Sequence, residues 1–241
     1  MDEFSERGLQ SVFLSGTTNV SSILQEGFGM YQLPVSALMG LSKTSGLDFT
    51  SRMALICHDM TQRVPELSHI NMRYVAVGFC QTRKDVMHGM YASLTPLRFE
   101  NGELTSIRRG RLWTIQRLYD TQGVEMKYIL NFYLPRFLRQ DFRHRLITTV
   151  HELWHISPKF DGDIRRLGGR CYVHSGSQKN FDAKAESLAD EWLSQIPDQD
   201  ICDFLHFSYE QMIEKYGRVY GKRFSVPKLL PLPESAVKKS S

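Results

Sequence analysis

The sequence predicts an α+β protein, and three observations predict it. Apolar residues recur at helical spacing over 49–64, strand-like segments rich in Val, Tyr and Phe follow from 70 to 134, and helical patterns return from 137 to 216. Helix, then sheet, then helices is the order expected of α+β architecture rather than of alternating βαβ units. The expected sheet is small and antiparallel or mixed, packed on helices.

Taken in order, residues 1–44 are rich in Ser, Thr, Gly and Leu, with turn signals at Ser15-Gly16 and Gly27-Phe28-Gly29. They read as an N-terminal extension with one short helix near 20–24, ahead of a domain over 45–225. Asp48 or Thr50 can cap the helix over 49–64, where Phe49, Met53, Ile56, Met60 and Val64 form the apolar stripe and Pro65 follows the end. Strands are expected over 70–82, 91–99, 112–119 and 126–134, with a tight hairpin at Asn101-Gly102. A long helix is expected over 137–156, because Pro158 cannot extend it and disfavours helix in the residue before. A loop rich in Gly, Asp and Arg leads to helices over 183–196 and 200–216. From Val226 the prolines and the Lys238-Lys239-Ser240-Ser241 end predict an unstructured tail, 226–241.

Composition excludes several classes. The 241 residues are 41% hydrophobic and 23% charged, which fits neither a disordered chain nor a fibre. No run approaches the roughly 18 apolar residues of a membrane span, and the acidic start lacks a signal-like apolar stretch, so a cytoplasmic protein is expected. A net charge of +4 is too small to announce a nucleic-acid binder by itself. Cys57, Cys80, Cys171 and Cys202 are widely spaced, as buried small hydrophobes are, without the paired spacing of zinc ligands.

The chemistry concentrates at His151-Glu152-Leu153-Trp154-His155. Residues four apart share a helix face, so both imidazoles can reach one cation, and Glu152 stands beside it as a candidate base. Zinc suits imidazole donors, and the uncharged flanks Leu146, Thr148, Thr149, Val150 and Ile156 suit a buried motif helix. A catalytic zinc takes a third protein ligand. His174, Glu186 (in a Glu186-Ser187-Leu188-Ala189-Asp190 run like the second helix of gluzincins) and Asp161 or Asp163 are the candidates. Asp161, Asp163, Asp182 and Asp190 can orient the histidines, and Arg165, Arg166 or Tyr172 can face a developing oxyanion. His58, His69, His88, His144 and His206 lack ligand spacing, and Met53, Met60, Met87 and Met90 are expected to fill the core.

The stretch 151–182 resembles a phage metallopeptidase family of small zincins. The resemblance rests on His-Glu-x-x-His-Ile, Pro158, Phe160-Asp161-Gly162-Asp163-Ile164-Arg165, His174 and Phe181-Asp182. It implies a zincin-like fold and one Zn2+ per chain held by His151, His155 and His174. Glu152 is then the catalytic residue of a zinc metallopeptidase acting on peptide or protein substrates. The alternative is a nucleic-acid-associated metalloprotein, a nuclease or DNA-linked protease. It would use the arginines at 108, 109, 111, 136, 139, 143, 145, 165, 166 and 170, of which 136, 139 and 143 would share a helix face.

Overall fold

The computed structural model describes residues 46–81, 89–166, 178–195 and 197–233. The architecture is α+β. A short strand β1 (Leu47–Asp48) leads into helix α1 (Phe49–Arg63), whose N-cap Asp48 accepts from the Ser51 N–H at 3.0 Å. Strands β2 (Val75–Gln81), β3 (Ala92–Pro96), β4 (Thr105–Arg108), β5 (Arg111–Ile115) and β6 (Tyr128–Leu134) follow. Then come helices α2 (Phe142–Trp154), α3 (Gln178–Ser194), α4 (Gln199–Cys202) and α5 (Tyr209–Tyr216), and last the strands β7 (Val219–Tyr220) and β8 (Leu229–Pro231).

The central sheet is mixed, in the order β2-β6-β3. β2 runs parallel to β6 and β3 antiparallel to it, with Val77 opposite Leu130 and Leu94 opposite that same residue on the other side. Alternation along β6 sends Tyr128, Leu130, Phe132 and Leu134 into the main core, where α1 packs on β2, α2 packs on β3 and α3 packs on α2. Phe49 is the hub, with its ring edge-on to Phe79, Phe132, Phe137 and Phe204 at 5.9–6.2 Å. Met53 and Met60 are buried there as expected, whereas Met90 is exposed and Met87 lies outside the described residues. No helix among the described residues is long and apolar enough to cross a membrane.

Four expectations need correction. The motif helix starts at Phe142, not 137, because Asp141 caps it through the His144 N–H and residues 136–139 form a separate 3-10 turn. Arg136 and Arg139 therefore lie off the helix that carries Arg143. Asn101 and Gly102 do turn tightly, at φ of 60° and 79°, but they join strands of different sheets. The hairpin is instead β4–β5, turning at Arg109-Gly110. The expected helix over 200–216 breaks at Ser208, which caps α5 with a capping box to Gln211. The tail is not unstructured over Leu229–Pro231, because it supplies the third strand of a β4-β5-β8 sheet, pairing along the open side of β5. The extension 1–44 falls outside the described residues.

Candidate metal centre

α2 lays its motif against β3 on one side and α3 on the other. His151 faces inward from the last turns of the helix. His155 is the C-cap residue but keeps helical dihedrals (φ −67°, ψ −18°), so its ring stays on the face of His151. The two Nε2 atoms approach to 3.1 Å. Two imidazoles on one tetrahedral zinc, at about 2.0–2.1 Å each, would stand about 3.3 Å apart, so the pair already spans the distance one cation needs.

The surroundings hold the rings in that attitude. Asp182, on the facing α3, sets Oδ1 3.1 Å from His151 Nδ1. A carboxylate there keeps the proton on Nδ1 and leaves the Nε2 lone pair for a metal. Phe181 packs its buried ring on both imidazoles, stacked on His155 at 4.5 Å and edge-on to His151 at 4.8 Å. Of the carboxylates considered from sequence, Asp182 is the one the fold brings to a histidine.

Glu186 and Asp190 go elsewhere. α2 and α3 run antiparallel, so the turns of α3 beyond Asp182 face the start of α2, where Arg143 binds Glu186 Oε1 at 2.8 Å and Asp190 Oδ2 at 2.6 Å. Arg143 precedes His151 by eight residues, about 12 Å along a helix. The gluzincin-like pair is thus engaged by an arginine two turns from the histidines.

Asp161 and Asp163 are structural. Asp161 Oδ1 accepts from the Asp163 N–H in an Asx turn. Asp163, 5% exposed, accepts from the Asn101 N–H and takes Arg166 bidentately at 2.9 and 3.0 Å. Its carbonyl accepts from the buried Tyr128 hydroxyl, which in turn accepts from the Gly162 N–H. Gly162, at φ 93°, lies so close to Arg98 that a side chain there would collide with it. These bonds rivet the chain after His155 to the sheet. Arg165 caps the helix instead of facing the histidines, with its N–H on the His155 carbonyl, Nε on the Trp154 carbonyl and its guanidinium 3.6 Å above the Trp154 ring.

Glu152 turns towards the sheet. Odd-numbered residues of β3 bond to β6, as with the Tyr91 carbonyl and the Tyr133 N–H, so the N–H of Leu94 faces the open edge and donates to Glu152 Oε2 at 2.8 Å. Burial pushes the Glu152 carboxyl up to about 7, against the opposing pull of that N–H. A carboxyl poised there exchanges protons readily near neutrality. Sequence reasoning missed both Phe181 as the aromatic wall and the Leu94 N–H. The first carried a signal, since Phe181 and Asp182 are neighbours on one helix. A backbone N–H carries none.

His174 and Tyr172 lie in 167–177, outside the described residues. The described chain before it ends at Arg165, whose N–H bonds the His155 carbonyl, and Arg166, which bonds Asp163; the chain after it opens with α3, whose Phe181 packs on the pair. Among the described residues no third His, Cys, Asp or Glu joins the two histidines to form a metal-binding group. Compared with protein-family profiles, curated proteins and solved structures, the chain has no significant match.

Proposed function

We propose that the protein is a zinc-dependent metallopeptidase with a zincin-like site. The observation that carries the reading is the convergence of the two Nε2 atoms with Asp182 behind His151. His151 and His155 would hold one zinc together with His174, the third ligand that the resemblance implies. Bound zinc supplies Lewis acidity, polarising a carbonyl and bringing the pKa of water down towards about 7.

The chain's own residues do the rest. Glu152 takes the proton from the attacking water at its carboxylate and hands it to the leaving amine. Asp182 keeps the His151 tautomer fixed, and Phe181 excludes water from one side of the rings. The peptide class of substrate follows from β3. Alternation along this edge strand turns the backbone groups of Ala92 and the Leu94 carbonyl outward, with the Leu94 N–H held by Glu152, and an extended peptide adding there as a strand would lie beside that carboxyl.

Glu152→Gln tests the reading on purified protein with a quenched casein or mixed-peptide substrate. The variant is expected to keep its metal and to lose about 10²–10⁴-fold in hydrolysis. Undiminished hydrolysis in that variant would refute the assignment of the base.

A further inference from the structure

The arginines proposed from sequence as one surface divide sharply in the fold. Arg143 and Arg166 hold carboxylates, Arg145 is buried against the carbonyls of Leu138, Gln140, Leu205 and Phe207, and Arg165 caps α2. Arg145 and Arg165 are thus committed to backbone carbonyls, and Arg143 and Arg166 are paired with carboxylates.

The β4–β5 hairpin differs. Residues 104–119 contain Arg108, Arg109, Arg111 and Arg117 with no Asp or Glu, and residues 221–233, which bring β8 to the same sheet, contain Lys222, Arg223 and Lys228 with none either. Seven cations therefore sit in two segments of a chain whose whole net charge is +4. Among the described residues only Arg117 of these seven has a carboxylate in reach, Glu125 at 3.5 Å. Arg108 leans over Phe99, and among the described residues Arg109 and Arg111 make no ion pair.

The turn geometry adds a second observation. Arg109 and Gly110 have φ of 52° and 73°, a two-residue turn with both central residues in the left-handed region. Nothing lies within 4 Å of where a side chain on Gly110 would start, so the tip is open. Asn, Asp or Gly suits the first of these positions; an arginine there is strained, which costs about 1–3 kcal/mol in comparable sites. An arginine held in a strained, open tip, with no carboxylate paired to it among the described residues, is a group presented to something outside the chain.

We propose that the β4–β5 hairpin is a docking element for nucleic acid, with Arg108, Arg109 and Arg111 contacting the phosphodiester backbone. Planar guanidinium groups bind phosphate oxygens two at a time, which suits Arg108, Arg109 and Arg111 at the turn end of the sheet. Anionic lipid is the weaker match. Bilayer surfaces add free aromatic anchors to lysine and arginine, whereas Trp113 of this sheet turns its N–H back onto the Arg108 carbonyl. The proposal is independent of the histidine site, because the hairpin neither contributes to it nor needs a metal.

Fluorescence anisotropy with labelled single-stranded and duplex DNA of roughly 30 nucleotides tests it, with salt varied from about 50 to about 200 mM. The comparison is wild type against the triple variant Arg108→Gln, Arg109→Asn, Arg111→Gln, in which Asn suits the left-handed position and a Tm equal to or above that of wild type verifies folding. Wild type is expected to bind at least one of the two, with affinity falling steeply as salt rises. The variant should lower the log–log salt slope by about 2–3 and weaken binding about tenfold or more. No binding at the lowest salt, or equal binding by the variant, would overturn the proposal. So would binding only to vesicles of phosphatidylcholine with phosphatidylserine, lost on Ile107→Ser.

Discussion

Along the helix of the histidine pair, charged side chains meet opposite charges or carbonyls, as Arg143 meets Glu186 and Asp190 and Arg165 meets the Trp154 carbonyl, while on the β4–β5 hairpin Arg109 and Arg111 are exposed and pair with no carboxylate among the described residues. The apolar residues follow the same division. Phe49 is fully buried among four aromatic rings, whereas Ile107 on β4 is 70% exposed. Pairing and burial fix side-chain positions at the cost of availability, which a site holding two imidazoles in register requires. Unpaired charge on an open ribbon leaves position loose and keeps the charge free for an external partner.

Substitutions can break that contrast, and the largest effect belongs to the core behind the site. Phe49→Ala should cost about 3–5 kcal/mol in denaturant unfolding, because it empties a space lined by four rings. A cost near that of a surface change would mean that the helical layer is not packed as described. Asp182→Asn should weaken zinc binding about 10–100-fold in a chelator competition, since an amide no longer enforces the His151 tautomer. Equal affinity would detach α3 from the metal centre. Glu186→Ala, by contrast, should leave zinc binding unchanged and alter stability by no more than about 1 kcal/mol, as expected of an exposed ion pair with Arg143. Ile107→Ser should fall within about 0.5 kcal/mol of wild type by thermal unfolding, the smallest effect of the set.

Features encoded locally were legible in the sequence. Asp48 and Pro65 bracket α1 because capping and the missing proline N–H act within a few residues. His151 and His155 share a face because helical spacing alone requires it. Legibility stopped where docking decides. Asp161, Asp163, Asp182 and Asp190 were equal candidates for the histidines, and only the antiparallel packing of α3 on α2 gives Asp182 to His151 and Asp190 to Arg143. The parallel pairing of β2 with β6 and the capture of Leu229–Pro231 by β5 are long-range choices with no local signature. Arginine showed the same limit, since Arg145 and Arg109 read alike in sequence although one is buried against carbonyls and the other projects from a turn.

The most direct test of the account is metal content by elemental mass spectrometry on the purified protein, run beside His174→Ala and Glu186→Ala. The account predicts about one zinc per chain, lost in the His174 variant and kept in the Glu186 variant. No zinc in the wild type after zinc is supplied, or zinc lost with Glu186 and kept without His174, would contradict it.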